Sequence, residues 1–87
     1  MELRKGMLAV SKAGHDKESW YVVLKIEGNY AYLVNGKTKT LEAPKKKKLM
    51  HLQPVNRIPE QLQEKMDSGK QWIDEDIKRA LKLVKKD

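Results

Sequence analysis

Four consecutive lysines, Lys45, Lys46, Lys47 and Lys48, follow Pro44 and precede the short apolar run "LMHLQ". Lysine ammonium groups neutralise phosphate oxygens, and each such contact releases a condensed counterion. Two further basic groups lie upstream: Lys12 and Lys17 bracket Gly14, His15 and Asp16, and Lys37 and Lys39 follow "NG". In that setting Gly14 lets a nucleic-acid backbone approach closely, the lysines touch phosphates, and His15 stacks or hydrogen-bonds. The lysine run has a plainer reading as a hydrated stretch that keeps the chain soluble. Its place between Pro44 and an expected strand favours the grip, because a pre-ordered strip loses less entropy on meeting phosphates than a floppy tail does.

Aromatic side chains add the second chemistry of single-strand binding, stacking on unpaired bases. Trp20 reads as core. Tyr21, Tyr30 and Tyr32 fit either face, and Tyr21, which opposes the Trp20 face, is the stacking candidate. Trp72 reads as an anchor for the C-terminal part.

Other chemistries find little support. Ser11, Ser19 and Ser68 lack histidine and acid partners at convincing places, and no phosphate-cradling glycine loop occurs, so an enzyme is not expected. His15 and His51 are far apart in sequence with no neighbouring acidic cluster, so neither a metal nor another cofactor is expected. Without cysteine, disulfides and thiolate ligands are excluded.

The charge balance points the same way. Nineteen Lys and Arg against 12 Asp and Glu give a formal charge of +7 over 87 residues, which calls for an anionic partner. Residues 1–53 hold 11 basic and 5 acidic side chains, whereas residues 54–87 hold 8 and 7. The anion-binding part is therefore expected in the first segment. "MELRKGMLAV" carries no apolar core of the secretory type, and no apolar run reaches the 18 or so residues of a membrane span; the expectation is a soluble, cytoplasmic protein.

These side chains need elements to hold them. "MLAVSK" (7–12) and "SWYVVLKIE" (19–27) read as strands, the second with Trp20, Val22, Leu24 and Ile26 on one core face at period 2. Gly28-Asn29 makes a tight link into "YAYLV" (30–34). Asn35-Gly36 has the composition of a type I′ hairpin turn, with a fourth strand at about 38–42 after it. A fifth strand is expected over 49–53, and Pro44 suits the start of an edge strand. Beyond Pro54 the period becomes helical: Ile58, Leu62 and Met66 share a stripe between Pro59 and Gly69, and Ile77, Ala80, Leu81 and Val84 form another. Asp74 is placed to cap the second helix, with Glu75 and Asp76 behind it and Lys82, Lys85 and Lys86 toward its far end. The fold class is mainly β with C-terminal helices: a five-stranded small barrel over 1–53, and a two-helix extension over 54–87 packed on it.

The stretch "GMLAVSKAGHDKESWYVV" resembles the KOW motif of ribosomal and transcription-elongation proteins, and more closely a bacterial group of small KOW proteins similar to a large-subunit ribosomal protein family. Gly6, Val10, Ser11, Gly14, Asp16, Lys17, Val22 and Val23 carry the resemblance, as do Gly36, Lys37, Leu41, Pro44, the lysines after it and His51. It covers roughly residues 6–53. The chain departs where that group usually has glycine and this sequence has Glu18, which adds a Cβ and a negative charge beside the loop. The resemblance implies an SH3-like barrel that binds RNA or the ribosome.

The leading expectation is a non-catalytic module that binds RNA, ribosomal or ribosome-associated, through Lys12, Gly14, His15, Lys17, Tyr21, Lys37, Lys39, Lys45–Lys48 and His51. The alternative is a protein-interaction module of a transcription or translation complex that docks through the helices. Attachment to an anionic membrane through the lysine run lacks an adjoining apolar anchor and is not expected.

Overall fold

Five antiparallel strands precede two helices in the computed structural model, which describes residues 2–84. They are β1 (Leu8–Ser11), β2 (Trp20–Glu27), β3 (Tyr30–Val34), β4 (Lys45–Lys48) and β5 (Leu52–Val55), followed by α1 (Glu60–Asp67) and α2 (Asp74–Val84). A 3-10 turn, Leu49–His51, links β4 to β5. The sheet order is β4-β3-β2-β1-β5, a barrel-like arrangement with the helices at its C-terminal side, as the patterning led us to expect.

Both faces of the sheet are covered over the first part of β2, which explains why Trp20–Leu24 reads as uninterrupted apolar sequence. Ala9, Tyr21, Val23, Ala31, Leu33 and Leu52 form the inner core of the rolled sheet. Leu8, Val22 and Val34 point outward into a second core shared with Leu62, Trp72, Ile77, Ala80 and Leu81, against which Trp20 and Leu24 also pack. The face expected to be the core is thus the one the helices cover. Ile26 departs from it: a register shift between Val23 and Lys25 moves Ile26 onto the inner cluster.

The β2–β3 connection is the expected tight link, with Glu27 opposite Tyr30 and Gly28 at φ +59. The Asn35-Gly36 expectation fails in part. Gly36 takes φ +80 but Asn35 stays at negative φ, so a type I′ turn, which needs both positive, does not form. The Asn35 side chain instead accepts the backbone N–H groups of Lys37 and Lys39 at 2.9 Å each, and residues 38–42 form turns in place of the expected strand. The fourth strand is the lysine run itself, directly after Pro44 and at the sheet edge. The expected strand over 49–53 divides into the 3-10 turn and β5, which continues to Val55. Pro54 is accommodated there because β5 is the other edge strand.

The helices follow their stripes. Leu62 and Ile77 are fully buried, each contributing about 1.5 to 3 kcal/mol relative to exposure. Trp72 is buried and donates its indole N–H to the Leu62 carbonyl at 3.1 Å, so it anchors the two helices to each other. Capping differs from expectation. Asp76 accepts the Ile73 N–H at 2.8 Å and Lys65 Nζ at 2.7 Å, while Asp74 accepts the Leu41 N–H at 2.9 Å and so ties α2 to the β3–β4 connection. Burial would push the Asp76 carboxyl up, but the Lys65 and Ile73 donors prevail and lower it. Lys85 and Lys86 lie outside the described residues.

Candidate nucleic-acid interface

Alternation along β4 splits the lysine run in two. Lys45 and Lys47 are half-buried and face inward beside Leu33 and Ala31, their register partners, whereas Lys46 and Lys48 are exposed. The inward pair meets the β1–β2 loop. Lys47 Nζ lies 3.1 Å from Asp16 Oδ1 and donates to the Ala13 carbonyl at 3.0 Å, and Lys45 Nζ is 3.8 Å from Asp16 Oδ2. These two ammonium groups are committed to the fold. The expectation that all four lysines form one phosphate strip is corrected accordingly, because a strand must send alternate side chains to opposite faces.

Asp16 is the centre of this knot. Besides the lysines it accepts the Ser11 hydroxyl at 2.9 Å and the Tyr21 hydroxyl at 2.7 Å. Burial would push its carboxyl up, but the bonds from Tyr21, Ser11 and Lys47 outweigh that and hold it well below the usual carboxylate range. Burial, then the Asp16 carboxylate, push the Tyr21 phenol above its ordinary value. Tyr21 is 3% exposed, inside the rolled sheet. Its expected role as a stacking residue is therefore corrected: the ring has no open face to offer.

The knot also sets the loop. The Ser11 backbone carbonyl accepts the Glu18 N–H at 2.7 Å, Lys12 donates its N–H to the His51 carbonyl at 2.8 Å, and Gly14 stands beside Lys47. Glu18 adopts φ +73, the one non-glycine residue at positive φ among those described. A Cβ there is held in a left-handed conformation that glycine would adopt without cost. The result is a fixed loop that leaves Lys12, His15 and Lys17 exposed and brings them to the same end of the barrel as the half-buried His51.

Residues the sequence left undecided complete the open surface. Tyr30 and Tyr32 stand on the outer sheet face, half-buried, in two cross-strand rows: Lys25, Tyr32 and Lys46 in one, Glu27, Tyr30 and Lys48 in the other. Lys46 Nζ is 4.5 Å from the Tyr30 ring centre and Lys25 Nζ 4.8 Å from that of Tyr32. Lys25 also pairs with Glu27 at 3.1 Å and lowers its carboxyl. Among the described residues, no carboxylate is within ion-pairing distance of Lys46 or Lys48. This face was missed because the chain alternates cleanly only up to the irregularity after Val23.

Lys37 and Lys39 are elsewhere. Their turn leans on the start of α2, where Gly36 approaches so closely that a Cβ would sit 2.6 Å from the Asp74 carbonyl oxygen. Lys37 lines a cleft with Trp20 and α2 instead of joining β4. No protein-family model matches the chain, and no curated protein matches it significantly. No helix of the described residues is long and apolar enough to cross a membrane.

Proposed function

We propose that this protein is a non-catalytic RNA-binding module of the KOW type, built on an SH3-like barrel and acting on ribosomal RNA or a ribosome-associated particle. One observation carries the reading: Lys25, Lys46 and Lys48 stand in register with Tyr32 and Tyr30 on an open sheet face. Cations that track a phosphate backbone, set beside rings on which bases stack, are the two components of a single-strand binding surface. Lys12, His15 and Lys17, held by the Asp16 knot, extend the cationic surface at the end of the barrel. The resemblance of residues 6–53 to KOW proteins supports the same partner class.

The alternative of a protein-docking module draws less support. Among the described residues the strongly exposed large apolar side chains are Met50, Ile73 and Leu83, which sit on three different parts of the chain. Isolated exposed apolar residues are ordinary on a folded surface.

The test is charge reversal at the two outward positions. Lys46→Glu with Lys48→Glu should weaken binding of single-stranded RNA by at least about 10-fold at low salt, with the unfolding midpoint nearly unchanged. Undiminished RNA binding by a folded double variant would reject the face.

A further inference from the structure

A second cationic site lies where the outer sheet face passes beneath α2. A cleft of about 780 Å³ opens there, lined by Trp20 and Leu81 and bordered by Lys37, Lys78, Arg79 and Lys82. Glu75 is the acidic residue on this border, and its carboxylate already pairs with Lys78 at 3.4 Å. Segment charge counts hid this cluster. The acids of α2 occupy its first turn, Asp74 to Asp76, so its basic residues stand together beyond them.

We infer that this cleft is a nucleotide pocket, which takes one unpaired base of a bound RNA strand against the Trp20 indole and the adjoining phosphates on the cationic border. The inference rests on the RNA reading and adds to it a place where a single base is held. Three features select this ligand. Trp20 packs on the core while still lining the cleft, so its ring is fixed in place. The turn that carries Lys37 is anchored, because Asn35 Oδ1 accepts its backbone N–H at 2.9 Å and, four residues on, the Leu41 N–H is bonded to Asp74. The lining couples a flat aromatic and an aliphatic surface to a cationic border, which matches a base joined to phosphate. A plain polyanion would use the border alone, and an apolar peptide would face four ammonium or guanidinium groups.

The experiment follows the two indole N–H signals by NMR, with Trp20→Phe used to assign the Trp20 signal. A single-stranded RNA decamer should move the Trp20 signal, and inorganic polyphosphate of similar charge should leave it nearly in place. Arg79→Glu with Lys82→Glu, at two exposed positions, should lower RNA affinity by about 10-fold and abolish the Trp20 response. If RNA binds and the Trp20 signal stays still, the pocket falls while the RNA reading stands. An equal response to polyphosphate reduces the cleft to a general anion groove and overturns the nucleotide assignment. If no RNA binds at all, both readings fall together.

Discussion

Lys47 and Asp16, 31 residues apart in sequence, hold the β1–β2 loop against the edge strand through a 3.1 Å ion pair whose side chains are 11% and 17% exposed. A lysine in the middle of a four-lysine run is thus a structural residue. Removing one partner of a largely buried pair leaves the other charge uncompensated, which costs more than the pair contributes in net terms.

Asp16→Asn should therefore destabilise the protein by about 2 kcal/mol at neutral pH. The pH dependence has a definite sign. Because the folded-state carboxyl is held below its unfolded value, its contribution is fully present above about pH 4 and is lost as pH falls from there toward the folded value. Urea unfolding between pH 2 and 7 should show a steep acid loss in the natural protein and a flatter one in Asp16→Asn. Asp76 contributes in the same direction in both proteins, so the difference between the curves reports Asp16.

Glu18→Gly should raise stability by about 1 kcal/mol, by relieving a left-handed backbone at φ +73. Glu18→Ala keeps the strained Cβ and should recover little of that. Paired urea denaturation curves decide the matter, and equal effects of glycine and alanine would show that charge, not backbone, sets the cost.

Two glycines at positive φ should respond differently to alanine. At Gly28, φ +59, an added Cβ meets nothing within 4 Å, so only the backbone cost of about 1 kcal/mol applies. At Gly36 the same methyl would lie 2.6 Å from the Asp74 carbonyl oxygen and 3.0 Å from the Lys78 nitrogen. Gly36→Ala should lower the thermal midpoint by at least twice as much as Gly28→Ala, since at Gly36 a backbone must move as well. Similar shifts for the two variants would contradict the close approach of the turn to α2.

Salt dependence tests the proposed RNA grip and gauges its size. With about five phosphates contacted on a single strand, the logarithm of affinity should fall with the logarithm of salt at a slope near −3.5, and Lys46→Glu with Lys48→Glu should flatten it by about 1.4. Fluorescence anisotropy across a salt series measures both. A slope that the double variant leaves unchanged would place the contacts elsewhere.

Much of this architecture was legible from spacing. The stripes of Leu62 and Ile77, the Trp72 anchor and the edge position after Pro44 follow from period and punctuation, because burial and proline geometry act locally. The site was less legible. Tyr21 reads as outward because a two-faced strand offers no polar side to mark the surface, and the helices bury the face opposite it. Lys45–Lys48 reads as one unit because composition does not reveal alternation. The fate of Lys47 depends on Asp16, and the cleft beside Trp20 depends on α2 folding back onto β2; both are long-range contacts with no local signature.

β4 also guards the rim of the sheet. Its outer hydrogen-bonding edge is unpaired in the sheet order, and such an edge recruits strands from other molecules unless something discourages them. Lys46 and Lys48, exposed and turned outward, make an incoming strand meet unpaired positive charge along this edge. The run thereby discourages self-assembly into extended sheets, so that replacing Lys46 and Lys48 with apolar residues should promote aggregation.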